Sequence, residues 1–410
     1  MQKLSKESRR QIIVVSLTSF LADVSSEMIF NLLPLFLANV LGVGTGVIGL
    51  IDGIAETTAS LLKVFSGWLS DRLGARKWLA VSGYALSGFS KPFLFFAGSW
   101  LAVLFVRFSD RVGKGIRTAP RDALLADSVE AEHRGLAFGI HRAGDTFGAA
   151  TGLVIALLIV LATATGGAFI LSRETFQTAV LVSIVPGILA VVVLALGARE
   201  VVIKSKRERP RLSLAGLPQP FRRFLPIMLL FTLGNSSDSF LILRAQERGL
   251  SIPGILLMLI AFNIIYASAA GPLGALSDRL GRRRVIIGGW LVYGLIYLGF
   301  GFAVETWQIV TLYALYGLYY GATDGVARAL VGDLVPEAQR GTAYGVFNAA
   351  VGIAVLPASV LAGVLWQGIG PWHGFGPGAP FIAGAVLSLA AVLMFVRWQA
   401  TPDAVTPKEA

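Results

Sequence analysis

Long apolar runs separated by short polar gaps recur along the whole chain. A helix that crosses the hydrocarbon core of a bilayer needs about 20 consecutive, mostly apolar residues. Twelve runs fit that requirement: residues 11–40, 45–66, 78–98, 99–127, 134–162, 176–197, 223–245, 253–274, 285–304, 306–331, 341–367 and 379–397. The pattern therefore predicts an all-α membrane protein with twelve transmembrane helices, several of which are long enough to tilt or protrude.

Two of the polar gaps carry nearly the same sequence, about 207 positions apart. Residues 67–77 read Gly-Trp-Leu-Ser-Asp-Arg-Leu-Gly-Ala-Arg-Lys, and residues 274–284 read Gly-Ala-Leu-Ser-Asp-Arg-Leu-Gly-Arg-Arg-Arg. Such an internal repeat indicates a duplicated structural unit, and two related membrane halves are typical of secondary transporters. We predict an N-terminal six-helix bundle over 1–198, a cytoplasmic linker over 199–222 and a C-terminal six-helix bundle over 223–410.

The basic residues are distributed unevenly between the two sides of the membrane. If the gaps are numbered alternately, one side together with both termini holds 23 of the 35 Lys and Arg residues, and the other side holds two, Arg173 and Arg248. The positive-inside rule then places both termini in the cytoplasm. The net charge of +11 is explained by this topology and by contact with the lipid bilayer, so we expect no nucleic-acid partner.

The composition agrees with a membrane protein and excludes several kinds of site. Only 14% of the residues are charged and the mean hydropathy is +0.71, whereas soluble domains average about 25% charged residues. The chain has no cysteine, which excludes disulfides and thiol chemistry. Its three histidines are too scattered to predict a histidine metal centre, so we expect neither a metal nor a cofactor. The first apolar run is too long, and carries too many acids, for a cleaved signal peptide.

The repeated gap resembles the loop between helices 2 and 3 of the major facilitator superfamily, whose pattern is Gly-x-Leu-x-Asp-Arg-x-Gly-Arg-Lys. The first copy departs from the pattern at Ala75, and the second copy lies where that family repeats it, between helices 8 and 9. Three further matches are Arg107 in helix 4, Asp127 with Arg134-Gly135, and Asp333 with Arg340-Gly341. The resemblance covers nearly the whole chain. It implies two pseudo-symmetric six-helix bundles and a twelve-helix secondary transporter.

Helix 5 lacks the Gly-Pro-x-x-Gly-Gly motif that drug–proton antiporters of this superfamily usually carry. It has instead Gly144, Gly148 and Gly152, at intervals of four and without a proline. A row of glycines on one helix face lets another helix approach closely. This difference makes drug efflux a less favoured function.

The repeated gaps also predict a gate on the cytoplasmic side. Gly74 and Gly281 permit a tight turn, and Asp71 and Asp278 can accept hydrogen bonds from an arginine or a helix N-terminus. Such bonds would hold the cytoplasmic side in one conformation and release it in another, or would simply stabilise the turn. The predicted gating residues are Asp71, Arg72, Arg76, Asp127, Arg134, Asp278, Arg279, Asp333 and Arg340.

Charged side chains also occur inside the apolar runs of the first half. An ionised group at the bilayer centre costs about 2.5–3.5 kcal/mol on insertion scales, so such groups normally face a cavity or one another. Asp23 and Glu27 lie four residues apart on one face of helix 1. The others are Asp52, Glu56 and Lys63 in helix 2, Lys91 in helix 3, Arg107, Arg111, Lys114 and Arg121 in helix 4, and His141, Arg142 and Asp145 in helix 5. We predict acidic and basic stripes that face each other inside the first bundle.

Five of these carboxylates are candidates for proton coupling: Asp23, Glu27, Asp52, Glu56 and Asp145. A carboxylate in a partly dry cavity beside a cation can load and release a proton as access alternates, because desolvation favours its neutral form and the cation its charged form. The alternative is a set of permanent ion pairs that hold the bundle together.

The cations indicate the substrate. Lys91, Arg107 and Arg111 could hold an anionic head group, since guanidinium forks fit carboxylates and phosphates. The second half has fewer interior charges, so we expect its cavity wall to be largely apolar and aromatic. Its candidate substrate-binding residues are Asp238, Tyr266, Tyr316 and Asp324.

These observations together predict a secondary active transporter, not an enzyme. Its substrate would be a small anionic or zwitterionic organic solute, moved by alternating access and coupled to protons or another ion. A divalent metal or metal chelate, and a lipid flipped between leaflets, are the alternatives; the nearby basic residues argue against a bare metal. His141 lacks the partners that catalysis would need. We expect a monomer in the bacterial plasma (inner) membrane.

Overall fold

A computed structural model describes residues 5–74, 76–163, 167–200, 214–336 and 339–398. The side chains of Asp71, Ala131 and Asp278 are not among those it describes. Most of the predicted linker over 199–222 therefore lies outside the described residues, as do the side chains of two predicted gating residues.

Within the described residues the chain is helical, apart from one isolated bridge between Ile369 and Trp372. The first half contains α1 (Lys6–Phe30), α2 (Leu33–Asn39), α3 (Thr45–Leu73), α4 (Arg76–Ser90), α5 (Trp100–Asp127), α6 (Arg134–Thr163) and α7 (Arg173–Gly197). The second half contains α8 (Gln219–Gly234), α9 (Ser239–Glu247), α10 (Ile252–Leu280), α11 (Arg282–Phe302), α12 (Thr306–Asp333), α13 (Arg340–Gln367) and α14 (Ala379–Arg397). They form the twelve predicted spans, so the predicted all-α fold is confirmed.

Three spans consist of two helical segments instead of one. The first divides into α1 and α2, and Pro34 lies in the first turn of α2. The third continues from α4 into a 3₁₀ helix, Lys91–Phe96, which contains Pro92. The seventh is interrupted between Gly234 and Ser239, where the polar residues Asn-Ser-Ser-Asp separate α8 from α9. Proline lacks a backbone N–H and so favours a helix start or break at such points.

Within the described residues, eight of the twelve spans are long and apolar enough to cross a membrane on length and composition alone. The other four are formed by α3, α4, α5 and α12. All four carry charged positions that the sequence marks as functional, including Arg76 at the start of α4, and these positions lower their hydropathy. The low hydropathy of these helices therefore agrees with the prediction that their charged side chains face the interior of the protein and not the lipid.

The chain forms two compact units. Unit 1 comprises Met1–Gly44, Ile54–Arg209 and Ser251–Ile260, and unit 2 comprises Thr45–Gly53, Pro210–Leu250 and Ala261–Ala410. The first two turns of α3 thus belong to unit 2, and the corresponding start of α10 belongs to unit 1. The backbone of Ile252 donates to the carbonyl of Ala168 at 2.7 Å, which holds the start of α10 within unit 1.

The glycine row of α6 packs against α1 in unit 1, as its spacing predicts. A Cβ atom added to Gly148 would lie 2.5 Å from the carbonyl oxygen of Phe20, and one added to Gly152 would lie 2.7 Å from that of Val24. No side chain fits at these distances, so the two backbones are in direct contact. This packing fixes the face of α1 that carries Asp23 and Glu27.

Candidate functional site

Three cations of unit 1 surround the aromatic ring of Phe30, and we call these four residues the Phe30 cluster. The guanidinium carbon of Arg107 lies 4.1 Å from the ring centroid, that of Arg111 lies 5.5 Å away, and the Lys91 ammonium lies 5.8 Å away. A cation within about 6 Å of a ring face is attracted by the ring's quadrupole. The last turn of α1 therefore orients cations from two other spans toward one point.

Lys91 is buried at the start of the 3₁₀ segment and is held by hydroxyl groups. Its Nζ donates to Ser25 Oγ at 3.0 Å and to Ser26 Oγ at 2.9 Å. Both partners are neutral side chains of α1, so these bonds position the ammonium group without neutralising it. The predicted substrate contact is thus fixed in place by α1.

Two carboxylates balance the arginines of the cluster, and they differ in accessibility. Glu56 Oε1 lies 3.4 Å from Arg111 Nε and 3.8 Å from Arg107 Nη2, and its side chain is 42% exposed. Asp110 Oδ2 lies 3.6 Å from Arg111 Nε, but its side chain is only 3% exposed. The Ser87 hydroxyl donates to the other oxygen of Asp110. Asp110 is therefore a buried and fixed counter-charge, whereas the partly exposed Glu56 carboxylate is accessible to water or a solute.

The remaining proton-coupling candidates of unit 1 have different neighbours. Asn31 Nδ2 donates to Glu27 Oε2 at 2.7 Å, and Asp145 Oδ1 lies 3.3 Å from His141 Nδ1. The charged side chains near Asp23 include those of Asp145, Lys114, Glu27 and Arg117.

A polar network at Ser19 connects α1, α4, α5 and α6. Ser19 Oγ lies 3.0 Å from Tyr84 Oη and 3.3 Å from His141 Nε2, and it accepts from Arg121 Nη1 at 2.9 Å. Since His141 also contacts Asp145, the network links that carboxylate to the Arg121 guanidinium through His141 and Ser19. The sequence analysis placed Arg121 in the basic stripe of helix 4 but did not identify Ser19 as its partner, because a single serine on α1 gives no signal of a shared contact.

Asp52 lies in unit 2 and not in the cationic cluster. Its Oδ2 accepts a hydrogen bond from Ser237 Oγ at 2.8 Å and another from Ser239 Oγ. Both serines lie at the interruption between α8 and α9, where backbone that is not helical brings them together. Asp52 and Glu56 share a helix face, as the sequence predicts, but they belong to different units.

Three of the four substrate-binding candidates in the second half lie in one aromatic cluster of unit 2. Tyr316 Oη donates to Asp238 Oδ1 at 3.2 Å. The ring of Phe262 stacks on Tyr266 with centroids 6.3 Å apart and on Tyr316 with centroids 5.7 Å apart. The fourth candidate, Asp324, contacts Arg328 on its own helix at 3.2 Å. Phe262 therefore connects the Asp238–Tyr316 pair to Tyr266.

The sequence analysis missed two buried tyrosines of this cluster. Tyr293 and Tyr297 of α11 stack with their centroids 4.1 Å apart, and Tyr293 Oη donates to the carbonyl of Gly234 at 2.9 Å. Their spacing of four residues was the available signal, because it puts two hydroxyl-bearing rings on one helix face.

The predicted gating arginines form matching contacts in the two units. Arg134 Nε donates to the carbonyl of Ala126 at 3.3 Å, and Arg340 Nε donates to that of Gly332 at the same distance. Gly74 and Gly281 both adopt positive φ, of 66° and 88°, as the predicted tight turns require. The Arg72 guanidinium lies 5.5 Å from the Trp68 ring.

The acids at the ends of α5 and α12 form ion pairs with arginines of the repeated loops. In unit 1 Arg76 contacts Asp127, and in unit 2 Arg282 Nε lies 2.7 Å from Asp333 Oδ2. Arg282 was not among the predicted gating residues, because it occupies the position where the first copy has Ala75. Asp71 and Asp278 lie in the last turns of α3 and α10, but their side chains are outside the described residues.

Among the described residues, no group of three or more His, Asp or Glu side chains is arranged to hold a metal ion. The oxygen ligands that a divalent metal would need are therefore not gathered at one point in this part of the chain.

Comparisons with known proteins agree on one family. The family model described as Major Facilitator Superfamily matches residues 15–251 and 224–410. An uncharacterised MFS-type transporter of Methanocaldococcus jannaschii is 37% identical over 370 residues, which are 88% of this chain and 90% of that protein. A probable 4-methylmuconolactone transporter of Cupriavidus pinatubonensis is 27% identical over 78% of this chain and 76% of its own length. The crystal structure of nucleoside transporter NupG superposes with a TM-score of 0.75 at 13% identity, over 94% of this chain and 98% of that one.

Proposed function

The chain belongs to the major facilitator superfamily of membrane transporters, and we propose that it moves a small anionic or zwitterionic organic solute coupled to protons. Transport proceeds by alternating access, in which the binding site opens to each side of the membrane in turn. The protein acts as a monomer in a bacterial plasma (inner) membrane. Both termini lie in the cytoplasm, in agreement with the positive charge of their side of the chain.

The Phe30 cluster is the observation that carries this proposal. Its three cations outnumber the two carboxylates that contact its arginines, Glu56 and Asp110, so these five side chains together carry one positive charge. An anionic solute would neutralise that charge, and guanidinium groups bind a carboxylate or phosphate in a bidentate manner. Because the cluster contains more cations than carboxylates, the site should bind such a solute in preference to a neutral or cationic one.

Glu56 gives the cluster a means of coupling to protons. As a carboxylate it competes with the solute for Arg111 and Arg107, since it lies 3.4 Å and 3.8 Å from their nitrogens. A proton bound to Glu56 removes that competition and leaves both guanidinium groups available to the solute. Proton binding and anion binding therefore favour each other at this site, which is linkage between two ligands.

The chemistry of one relative supports an organic solute. The relative from Cupriavidus pinatubonensis is named as a probable transporter of 4-methylmuconolactone, a small organic molecule. The aromatic cluster of unit 2 could provide the apolar surface for the body of such a solute, because ligand sites are lined mostly by apolar and aromatic side chains.

The proposal is tested with the purified protein in two steps. A thermal-shift screen covers organic carboxylates, phosphates and amino acids, with divalent metal ions and phospholipids as the competing classes. A compound that stabilises the protein is then taken into proteoliposomes under an imposed pH gradient. We expect stabilisation by an organic anion and uptake that stops when the gradient is collapsed. The proposal would be contradicted if only metals or lipids stabilised the protein, or if uptake did not depend on the pH gradient.

A further inference from the structure

A basic cavity in unit 2 lies where the loop after α10 meets the start of α11. The cavity has a volume of about 660 Å³. Its lining includes Arg279, Leu280, Arg282, Arg283, Arg284 and Ile287. Four arginines line this cavity and concentrate positive charge there. Arg279 is one of the predicted gating residues, but no function proposed above uses the cavity as a binding site.

Two of these arginines are held by protein groups, and the other two are available. Arg282 contacts Asp333, and Arg283 Nη2 donates to the carbonyls of the last turn of α14, including that of Val396 at 2.7 Å. Arg279 and Arg284 are exposed, and neither forms an ion pair with a described side chain. The available charge of the cavity therefore comes mainly from Arg279 and Arg284.

The equivalent place in unit 1 contains an anionic group. There Glu200, which follows α7, accepts from the backbone N–H of Lys77 with both carboxylate oxygens, at 3.0 Å and 3.1 Å. Lys77 lies in the first turn of α4, and Arg284 is its counterpart 207 positions later, in the first turn of α11. A helix N-terminus attracts negative charge because its first N–H groups have no intrahelical acceptor.

The start of α11 differs from the start of α4 in its cap. Gly281 at the N-cap has a φ of 88° and offers no side chain, and the first turn contains no acid. The backbone N–H of Arg284 donates instead to the carbonyl of Gly281, at 3.1 Å. Unit 2 therefore combines a helix N-terminus with four arginines and, within the described residues, no counterpart of Glu200.

We propose that this cavity binds the phosphate group of an anionic phospholipid. The lining includes Leu280 and Ile287 beside the arginines, so it offers an apolar surface for an acyl chain next to a positive surface for the head group. Basic pockets between membrane helices bind anionic lipid head groups in this way, and arginine forms bidentate bonds with phosphate. The lipid phosphate is bound by the guanidinium groups of Arg279 and Arg284.

The test uses full-length protein purified in a neutral detergent and phosphatidylglycerol as the probe. Binding is measured by native mass spectrometry, with phosphatidylcholine as the zwitterionic comparison. The test variant is Arg279→Gln with Arg284→Gln, and the matched control is Arg72→Gln with Lys77→Gln at the equivalent positions of unit 1. We expect the test variant to bind phosphatidylglycerol roughly 30-fold more weakly, because each basic residue near an anionic lipid contributes about fivefold in affinity, or about 1 kcal/mol.

The control variant should retain the affinity of the unaltered protein, and both variants should unfold at similar temperatures in phosphatidylcholine. Unchanged binding in the test variant would overturn the proposal, as would an equal loss in the control variant. A further arm replaces the lipid with sodium phosphate. The lipid assignment is wrong if phosphate stabilises the protein through Arg279 and Arg284 while phosphatidylglycerol does not stabilise it.

Discussion

Arg282 is paired with Asp333 through a 2.7 Å contact at the end of α12, in a position where the first half of the chain has alanine. In unit 1 the equivalent acid, Asp127, is instead paired with Arg76, one residue further along the repeated loop. The arginine that pairs is therefore displaced by one position, and the ion pair is retained in both halves. In unit 2 the counterpart of Arg76, Arg283, is bonded to the carbonyls of α14.

We expect the two ion pairs to differ in their contribution to stability. The Arg76 side chain is 5% exposed, whereas Arg282 is 29% exposed and Asp333 45% exposed. Loss of one partner costs about 3–5 kcal/mol when the pair is fully buried, and exposed pairs contribute about 0–1 kcal/mol. Since Asp127 is 34% exposed, the Arg76–Asp127 pair lies between these limits. Arg76→Gln should therefore lower the unfolding temperature in detergent clearly more than Arg282→Gln does. Equal effects of the two substitutions would show that burial does not distinguish the pairs.

Phe30 provides a test of the cationic cluster without a change of charge. Phe30→Leu removes the ring but keeps an apolar side chain, and cation–π attraction is worth about 0.5–2 kcal/mol for each cation. We expect the affinity for a transported anion to fall by about fivefold or more, as measured by KM in proteoliposomes. Phe30→Tyr keeps the ring and serves as the control. An unchanged KM in the leucine variant would exclude the ring from solute binding.

Neutralisation of Glu56 tests the coupling mechanism. Glu56→Gln cannot bind or release a proton and no longer competes as an anion for the arginines. We expect the variant to lose accumulation driven by a pH gradient, while solute counterflow, which needs no net proton movement, is retained. Solute affinity should rise as the pH falls in the unaltered protein and should be independent of pH in the variant.

The other four carboxylates need the same measurement. They are Asp23, Glu27, Asp52 and Asp145. If the pH dependence of transport is the same after each of the five neutralisations, this set of carboxylates does not couple transport to protons and the charges are structural.

The contact between α1 and α6 can be tested by a single methyl group. Gly148→Ala places a Cβ atom 2.5 Å from the carbonyl of Phe20, so the two helices must move apart. Such overpacking typically costs about 1–3 kcal/mol. Gly139→Ala on the same helix meets no atom within 4 Å, and it should be neutral or slightly stabilising because alanine has the higher helix propensity. Similar unfolding temperatures for the two variants would contradict the close contact.

The sequence predicted the helical spans well, because the bilayer imposes a length and an apolar composition that can be read directly. It predicted the cations of the Phe30 cluster for the same reason, since charges within apolar runs are conspicuous. It missed Phe30 itself, because an aromatic residue at the end of an apolar helix is unremarkable until its neighbours from other helices are known. Asp110 was missed because it lies within a basic stripe, and its buried bond to Ser87 depends on packing.

Helical periodicity also had a definite limit in α3. It placed Asp52 and Glu56 on one face, but that face contacts serines of unit 2 near its start and arginines of unit 1 one turn later. A local sequence pattern cannot show which residues distant in sequence will contact a given helix face. The sequence neighbours of Asp52 therefore did not show its environment. That environment is set by two serine hydroxyl groups at the interruption between α8 and α9.

The first turns of α3 belong to unit 2 and the start of α10 belongs to unit 1, and this arrangement has a consequence for biosynthesis. During translation Asp52 is inserted long before Ser237 and Ser239, so its carboxylate lacks these two donors until the seventh span has emerged. Unit 1 in turn is complete only when Ile252 reaches Ala168. Neither unit can therefore mature as an independent domain, and the ribosome must deliver the start of the eighth span before the first half of the molecule attains its final packing.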